Sequence, residues 1–535
     1  MQDIKLLDCT LRDGGFLNSW NFGRGTMVNF FERSVSAGIN YIEVGFLDER
    51  EPFDPDRTIT PNSQGMDRLF AGLDHGNSKI FAMIDYGTCP LENVSDAKDS
   101  VIDGIRVMIK KKTMIEAIGF CKELKNKGYL IGAQPVSVTG YTDDEMRDLV
   151  KLMNELKPMA MYIVDTYGLL DRSHVLHIFE LIDSLLDPEI AIGYHAHNNF
   201  QLAFSNSVAL MEKQGDRTLV IDGSAFGIGK SAGNCPLELL TSYLNGHKNA
   251  CYDTSQILEM IDTGVLKIYE ENPWGYQMRY FLCASNDCHP KYPQYLLQKK
   301  TLSVRSINEI LSKIEPKERL AFNQAHIEKL YLDYQSHEIN DRGDIEKLQV
   351  LLADKPVLVL GPGPSMGTEG GKVRDYINKK SPAILSINYL PEGYDMDYLF
   401  LSNSKRYIQL STKLSEGGQN GEVTKIIATS NVTPARGSFD FKVDYAGLID
   451  MDFEIPDNSL PMLLRLLHRI GVKEVALAGF DGYVAEAGQN YMNPAMEYEF
   501  AKDYAVRLND YTSGVIASLR DDMDISFVTE SRYRA

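Results

Sequence analysis

The first 225 residues alternate between short apolar runs and longer amphipathic stretches. The apolar runs predict eight buried strands, near residues 4–8, 41–45, 80–85, 104–109, 129–135, 159–165, 190–195 and 219–222. The stretches between them predict helices, including those at residues 26–37, 116–127, 143–156, 174–185 and 203–213. Because strands that alternate with helices form a parallel sheet, eight of them in this length predict an α/β fold, a (β/α)8 TIM barrel.

The chain is too long for a single hydrophobic core. A length of 535 residues predicts two or three domains. We assign the barrel to residues 1–300 and a charged helical connector to residues 301–350. Strand–helix alternation resumes at Val357, so residues 351–535 are predicted to form an open, Rossmann-like α/β domain.

Charge and composition exclude several classes of partner. A net charge of −19 argues against nucleic acid, which is bound by stripes of Lys and Arg. No apolar stretch approaches the length of a membrane span, and no signal peptide is recognisable. Seven scattered cysteines are typical of a reduced, cytoplasmic protein. Small molecules are therefore the expected partners, together with further copies of the chain in a homo-oligomer.

Charged and polar residues follow the ends of the predicted barrel strands. Arg12 and Asp13 come after the first strand, and His195 and His197 lie at the end of the seventh. Residues i and i+2 of a strand face the same side, so the two histidines can bind one ion with Asp13. Two nitrogens and one oxygen suit Mn²⁺, Zn²⁺, Fe²⁺ or Mg²⁺. The alternative is a pair of ordinary surface histidines.

Two further charged residues are candidates for catalysis at the same end of the barrel. The guanidinium of Arg12 could stabilise an enolate or an oxyanion, or it could form a structural salt bridge. Glu43 is a charge inside an apolar strand, where a carboxylate needs a partner. Its predicted partner is Arg12 or a metal-bound water, and the alternative is an outward-facing side chain.

A glycine-rich loop at residues 224–236 follows the eighth strand. Its glycines allow the backbone to approach a ligand, and we place Gly229 at the substrate together with Thr166. Asn234 is a further candidate metal ligand. The loop is not a Walker A sequence, because Lys230 and Ser231 lack the required glycine spacing.

Three motifs resemble the signatures of the DRE-TIM metallolyases: Leu6-Leu-Asp-Cys-Thr-Leu-Arg-Asp-Gly14, His195-Ala-His-Asn198 and Gly227-Ile-Gly-Lys-Ser-Ala-Gly-Asn-Cys-Pro-Leu-Glu238. This superfamily includes 4-hydroxy-2-oxovalerate aldolase, HMG-CoA lyase and isopropylmalate synthase. The resemblance covers about residues 1–300. It implies a TIM barrel in which Asp13, His195 and His197 bind the metal and Arg12 stabilises an enolate.

The chain departs from these families at two positions. Lys230-Ser231 stands where the acyl-CoA-condensing members carry Glu-Arg, which favours the aldolases. The aldolases carry a His three residues after the metal-binding Asp, and here that residue is Phe16. The replacement acid or base is predicted among Tyr276, Tyr280 and His289, which could instead form an aromatic cap.

The second domain begins with a strand and a glycine-rich turn, Val357-Leu-Val-Leu-Gly-Pro-Gly-Pro-Ser365. Backbone amides in such a turn can bind a phosphate, so Gly361, Gly363 and Ser365 are candidate nucleotide-binding residues. The turn and Asp481 in Ala478-Gly-Phe-Asp-Gly-Tyr483 resemble the 6-hydroxymethylpterin diphosphokinase-like proteins and the bacterial sialyltransferases. The alternative is a structural turn.

These motifs predict a metal-dependent aldehyde-lyase of the class II pyruvate aldolase type. Its substrates would be a 2-oxo acid and an aldehyde. Its cofactor would be Mn²⁺ or Mg²⁺, with Zn²⁺ as an alternative. The second domain would bind a nucleotide or a nucleotide-linked sugar. One alternative is an acyl-CoA-dependent Claisen condensation. Another is a non-catalytic, nucleotide- or sugar-binding regulator that has kept a barrel scaffold.

Overall fold

The chain, seen in a computed structural model, divides into two compact units. The first unit comprises residues 1–293 and 315–322, and the second comprises residues 294–314 and 323–535. The residues that the structure describes are 3–299, 302–319, 321–335, 338–415, 425–450, 453, 458–486, 488–496 and 504–533.

The first unit contains a closed parallel barrel of eight strands. In chain order the strands are β1 Ile4–Asp8, β2 Tyr41–Leu47, β3 Ile59–Thr60, β4 Lys79–Asp85, β5 Gly104–Ile109, β6 Leu130–Pro135, β7 Ala160–Asp165, β8 Ala191–Ala196 and β9 Leu219–Gly223. The barrel runs from β1 through β9, β8, β7, β6, β5 and β4 to β2, and the pairing of β1 with β2 closes it. The short β3 pairs only with β2. The predicted TIM barrel is thereby confirmed.

Helices follow most of the barrel strands. In the first unit they are Thr10–Asp13, Gly15–Asn18, Arg24–Ser36, Ser63–Phe70, Met114–Asn126, Asp143–Leu156, Arg172–Asp183, Ala203–Met211, Leu237–Lys248, Thr254–Met260, Leu266–Glu271 and Met278–Ser285, with a π-helical turn at Ile261–Val265. Short 3₁₀ turns lie at Leu91–Asn93, Ala97–Asp99, Lys111–Thr113, Val138–Gly140, Ala225–Gly227 and Pro316–Glu318. Helix Lys291–Gln298 contains residue 293, at which the first segment of the first unit ends.

Local sequence signals account for where these helices begin. Thr142 and Glu145 form a reciprocal capping box at the start of Asp143–Leu156, which satisfies two backbone amides at once. The side chain of Asp171 accepts from the His174 amide at the start of Arg172–Asp183. Strands β7 and β8 are buried along their whole length, as expected for parallel strands covered by helices on the outside.

In its described residues, the second unit forms an open parallel sheet of seven strands. They are β10 Val357–Leu360, β11 Ala383–Ile387, β12 Tyr398–Leu401, β13 Lys425–Thr429, β14 Phe441–Val443, β15 Glu474–Ala478 and β16 Asp524–Phe527. The helices of this unit are Val304–Leu311, Gln324–Gln335, Arg342–Leu352, Ser365–Thr368, Gly370–Lys380, Ser404–Ser415, Ser459–Arg469 and Ala505–Leu519, with a 3₁₀ turn at Pro494–Met496. Among the described residues, no helix is both long and apolar enough to cross a bilayer.

The strand order of the second sheet reverses between β10 and β15. The order is β14-β13-β12-β11-β10-β15-β16, so the chain builds outward from β10 on one side and then returns to its other side. Alternate residues of β10 pack into two different hydrophobic cores. Val357 and Val359 lie in one core, and Leu358 and Leu360 lie in the other. Both faces of the sheet are therefore covered, and a ligand site is expected where the order reverses.

Candidate active site

A cavity of about 430 Å³ opens at the carboxyl ends of the barrel strands, where TIM barrels carry their catalytic groups. Much of its wall is apolar. The lining residues are Arg12, Asp13, Phe16, Phe46, Met83, Met108, Gln134, Val136, Val164, Thr166, His195, His197 and Lys230. The structure thus brings together at one cavity four of the five residues that the sequence places at the metal site and the enolate, and the fifth, Asn234, is not among its lining residues.

Asp8 holds the segment that carries Arg12 and Asp13. Its carboxylate ends β1 and accepts from the Thr10 amide at 2.8 Å, the Thr10 hydroxyl at 2.5 Å and the Ser34 hydroxyl at 2.5 Å. These bonds turn the chain from the strand into the short helix Thr10–Asp13. The side chains of Arg12 and Asp13 are consequently buried at the cavity.

Both histidines direct Nε2 toward the same carboxylate oxygen. The distance to Asp13 Oδ2 is 3.3 Å from His195 and 4.0 Å from His197. On the other side of each ring, His195 Nδ1 lies 2.9 Å from Asp222 Oδ2, and His197 Nδ1 lies 3.3 Å from the Gly233 carbonyl. Because both of these partners accept hydrogen bonds, we assign the proton of each neutral ring to Nδ1. Each Nε2 then presents its lone pair to Asp13.

Burial and neighbouring charges separate the pKa values of these three groups. Burial opposes ionisation of Asp13, but Arg12 and the two histidines outweigh it and hold its pKa well below the usual range. Burial lowers the pKa of His197 to about 3, so this ring stays neutral. Burial also disfavours the charged form of His195, yet the neighbouring carboxylates of Asp13 and Asp222 outweigh it and raise its pKa. Asp13 therefore stabilises positive charge at His195, whether a proton or a metal ion supplies it.

The donor set fits a divalent ion. In the neutral form of His195, with its proton on Nδ1, lone pairs of His195 and Asp13 face each other 3.3 Å apart, and a proton or a metal ion between them stabilises the pair. Asp13 Oδ2 has no hydrogen-bond donor among the described residues. The Cys9 thiol also lies within 4.8 Å of ligand atoms of Asp13 and His195. Burial raises its pKa well above the ordinary value, however, so it remains a neutral thiol and a weak ligand.

Six side chains form a closed ring of ionic contacts beneath the cavity. Arg12 Nε donates to Glu43 Oε2 at 2.6 Å, and Arg106 Nη1 donates to the same oxygen at 2.9 Å. Arg106 Nη2 also donates to Asp222, which bonds His195. A final contact of 3.3 Å between Arg12 Nη1 and Asp13 Oδ2 completes the ring. We call these residues the ionic ring: Arg12, Asp13, Glu43, Arg106, His195 and Asp222.

Arg106 is the member of the ionic ring that sequence reasoning missed. It is fully buried in the middle of β5, its guanidinium lies 4.4 Å from the ring centre of Tyr162, and the amide oxygen of Gln134 accepts from its Nε and Nη2. The signal was available in Gly-Ile-Arg-Val-Met-Ile, a charge inside an apolar strand. The same argument singles out Glu43, which is also fully buried and pairs with Arg12, one of its two predicted partners.

The other candidates in the barrel are placed as follows. Thr166 lines the cavity, and its hydroxyl accepts from the Ser137 amide at 2.7 Å. Gly229 packs closely against Asn234. A Cβ atom at position 229 would lie only 2.2 Å from Asn234 Nδ2, so a side chain does not fit at this position. That amide nitrogen donates to the Ile228 carbonyl at 3.0 Å. Asn234 Oδ1 is buried without a hydrogen-bond partner among the described residues, so it remains available as a ligand oxygen.

The three candidates for a replacement acid or base are not among the residues that line the cavity. Tyr276 is 60% exposed, and Tyr280 is buried with a raised pKa because of that burial. Burial, with a contribution from the Lys230 charge, lowers the pKa of His289 to about 4. Its Nδ1 accepts from the Lys291 amide at 3.2 Å, which leaves the proton of the neutral ring on Nε2.

The candidate nucleotide turn of the second unit is filled by Asp481. Its carboxylate accepts from the Ser365 amide at 2.8 Å and from the Ser365 hydroxyl at 2.5 Å. A Cβ on Gly363 would lie 2.5 Å from Asp481 Oδ1 and from the Gly479 carbonyl. This glycine therefore lets the chain's own carboxylate approach the turn.

A cleft of about 990 Å³, counting its open mouth, adjoins this turn. It lies where the strand order reverses, and its wall combines amides, hydroxyls and aromatic rings. Its lining includes Pro362, Gly363, Asn388, Asn403, Arg406, Asn458, Ser459, Phe480, Asp481, Tyr483, Asn490, Tyr491 and Tyr533.

Removing the charge of Glu43 should destabilise the barrel strongly. Glu43→Gln leaves two buried guanidinium groups with one carboxylate fewer, and breaking a buried ion pair typically costs about 3–5 kcal/mol. Both tryptophans of the chain, Trp20 and Trp274, lie in the first unit, so their fluorescence during urea unfolding reports on the barrel.

The matched control is Asp148→Asn. Asp148 pairs with Lys151 at 2.8 Å on the barrel surface, where loss of an ion pair costs about 0–1 kcal/mol. Equal stability of the two variants would contradict a structural function of the ionic ring.

Comparison with known proteins finds a family model and relatives that match part of the chain. Residues 98–263 match the HMGL-like family model. The chain is 28% identical over 255 residues to the 4-hydroxy-2-oxovalerate aldolase of Chloroflexus aurantiacus, covering 46% of this chain and 70% of that protein. It is 24% identical over 285 residues to the oxaloacetate decarboxylase of Mycobacterium tuberculosis, covering 50% of this chain and 80% of that protein.

Solved structures include similar chains. The HMG-CoA lyase of Brucella melitensis is 16% identical with a TM-score of 0.39, and the match covers 49% of this chain and 96% of that one. The family match and the two relatives fall within the superfamily that the three motifs resemble. The barrel of this chain is therefore similar in sequence to members of the DRE-TIM metallolyase superfamily.

Proposed function

We propose that the barrel is a divalent-metal-dependent carbon–carbon lyase that cleaves a 4-hydroxy-2-oxo acid, or runs the reverse condensation, through a pyruvate-type enolate. The observation that carries this proposal is the convergence of two Nε2 lone pairs on Asp13, with Arg12 beside them. Asp13, His195 and His197 would hold the ion, which would act as a Lewis acid on the 2-oxo group.

Arg12 is placed to stabilise the developing negative charge. Its Nε and Nη1 are engaged by Glu43 and Asp13, whereas Nη2 has no partner in the part of the chain that the structure describes. In the cleavage direction, a base would take the proton of the 4-hydroxyl, the C4–O bond would become the aldehyde carbonyl and the C3–C4 bond would break. The electron pair of that bond would form the C2–C3 double bond of the enolate, and Nη2 would donate to the negative C2 oxygen. The apolar wall excludes water until C3 takes a proton.

Deuterium exchange tests the proposal without knowledge of the aldehyde. The Mn²⁺-loaded protein should exchange deuterium from the solvent into the methyl group of pyruvate and should condense pyruvate with at least one member of an aldehyde panel. Acyl-CoA-dependent release of a thiol would instead support the Claisen alternative. If pyruvate neither exchanges nor condenses, the aldolase proposal is wrong.

Decarboxylation of a 2-oxo diacid is the second candidate. Phe16 stands where the resemblance places a His, and no described tyrosine lines the cavity. Loss of CO₂ needs no base at the bond-breaking step, since the C3–C4 electron pair passes directly to the C2 oxygen. Metal-dependent conversion of oxaloacetate to pyruvate, without condensation with any aldehyde, would favour this reaction.

We further propose that the second domain binds a nucleotide or nucleotide-linked sugar in its cleft. The position at the reversal of strand order and the wall of Asn, Ser and Tyr side chains support this. The filled turn indicates that the nucleoside or sugar, rather than a phosphate at Ser365, makes the main contacts.

Unfolding experiments on the full chain can assign such a ligand to one domain. CMP, UMP or ATP should raise the midpoint of a transition followed by circular dichroism and leave the tryptophan-detected transition unchanged, because both tryptophans lie in the barrel unit. A shift of the tryptophan signal alone would place the nucleotide on the barrel. Either that result or no shift would contradict the proposal.

A further inference from the structure

Lys230 contributes a cation to the barrel cavity that the chain itself does not neutralise. Its side chain lines the cavity, and among the described residues its ammonium group has no hydrogen-bond or ion-pair partner. Its contact is the ring of Phe16, whose centre lies 5.4 Å from Nζ. The aromatic face holds the cation in place but leaves its donors unused.

The remaining charges of the cavity are already paired with one another. The guanidinium of Arg12 contacts Glu43 and Asp13, and Asp13 faces both histidines. The backbone amide of Lys230 lies 3.4 Å from Asp13 Oδ1, so the lysine is next to the candidate metal site. The other lining side chains that can form hydrogen bonds, Gln134 and Thr166, are uncharged.

A half-buried ammonium beside an apolar wall is stabilised by an anion. We propose that Lys230 binds a second carboxylate of the substrate, so that the barrel takes a compact 2-oxo diacid. This inference rests on the proposed lyase function and specifies its substrate class. The 2-oxo acid end would lie at Asp13 and the histidines, and the far carboxylate would reach Lys230 above Phe16. A single ammonium suits one carboxylate, whereas a phosphate is better matched by several donors.

The position of Lys230 also bears on the reaction. An ion pair stabilises a carboxylate as an anion and therefore opposes its loss as CO₂. A carboxylate that is bound by Lys230 is therefore not the group lost as CO₂, and it remains in the product. The inferred substrate is a 4-hydroxy-2-oxo acid with an additional carboxylate beyond the bond that breaks.

The test compares two inert ligands of equal chain length, 2-oxoglutarate and 2-oxovalerate, by calorimetry with the Mn²⁺-loaded full chain. The wild type should bind the diacid at least about tenfold more tightly, as expected for a hydrogen-bonded charge pair. Lys230→Met should weaken 2-oxoglutarate binding about 10–100-fold and change 2-oxovalerate binding by less than about threefold. Lys230→Arg should retain a preference for the diacid.

The matched control is Lys110→Met. Lys110 follows β5 at the same end of the barrel, pairs with Asp85 at 2.7 Å and does not line the cavity. This variant should keep the wild-type preference, and all variants should keep the wild-type metal content. A wild type without preference for the diacid, or equal weakening of both ligands in Lys230→Met, would overturn the inference. Retained preference without any carbon–carbon bond cleavage or deuterium exchange would instead overturn the proposed lyase function.

Discussion

Replacing Asp13 with alanine should abolish tight binding of the divalent ion. This change removes the carboxylate on which His195 and His197 converge and leaves their two nitrogens without an anionic partner. Loss of a group that only orients a metal ligand costs about 10–100-fold in affinity, and loss of Asp13 itself should cost more. Metal analysis after dialysis and calorimetric titration with Mn²⁺ measure the effect, and lyase turnover should disappear with the ion.

Asp222→Asn provides the graded comparison. Asp222 contacts His195 only through Nδ1, 2.9 Å away, so its replacement should weaken Mn²⁺ binding by about 10–100-fold without abolishing it. Tryptophan fluorescence establishes that each variant is folded. One tightly bound ion per chain in Asp13→Ala would show that the metal assignment is wrong.

Arg12→Lys should reduce turnover by about 100–1,000-fold while the ion stays bound. Lysine keeps the charge but loses the planar fork that contacts Glu43 and Asp13 and presents Nη2 to the cavity. Loss of one donor to an oxyanion typically has this effect on kcat. Steady-state kinetics with the substrate identified in the condensation screen should show a fall in kcat that exceeds any rise in KM.

Arg50→Lys is the control for a general effect of charge near the barrel. The exposed Arg50 side chain pairs with Asp48 and does not line the cavity, so the conservative change should leave kcat unchanged. If Arg12→Lys turns over at nearly the wild-type rate, Arg12 does not stabilise the enolate.

The barrel could be predicted because each of its strands carries its own signal. The runs at 4–8 and 104–109 match β1 and β5 in full, and the predicted second strand ends two residues before β2 does. Strand β3 has only two residues and depends on its pairing with β2, so no local pattern marks it. A strand that is buried on both faces can be recognised in the sequence by its apolar run, whereas a strand defined only by pairing at a sheet edge cannot.

The grouping of candidate site residues is easiest to predict where they lie within a few consecutive positions. Arg12 and Asp13 are adjacent, and His195 and His197 share one strand end, so their grouping is visible in the sequence. Arg106 and Asp222 come from strands more than 110 residues apart and meet only through the barrel interior. A single buried charge predicts that a partner exists but does not identify it.

The turn of the second domain shows the same limitation in another form. Its glycines predict that a group approaches the backbone closely, and the group expected from the sequence is a phosphate. The group that the structure places there is Asp481, 116 residues away from Ser365 in the sequence. Spacing alone does not distinguish a bound phosphate from a carboxylate of the same chain.

The ionic ring links assembly of the catalytic groups to closure of the barrel. Its six members come from β2, β5, β8 and β9 and from the short helix that follows β1, so the ring is complete only when early and late parts of the chain have met. A barrel lacking its last strand would bury Arg106 without Asp222. Such a state is disfavoured, because contacts between distant residues yield their energy only after the loop between them has closed. A newly made chain should therefore acquire metal affinity in one late step, and fragments that end before Leu219 should not bind the ion.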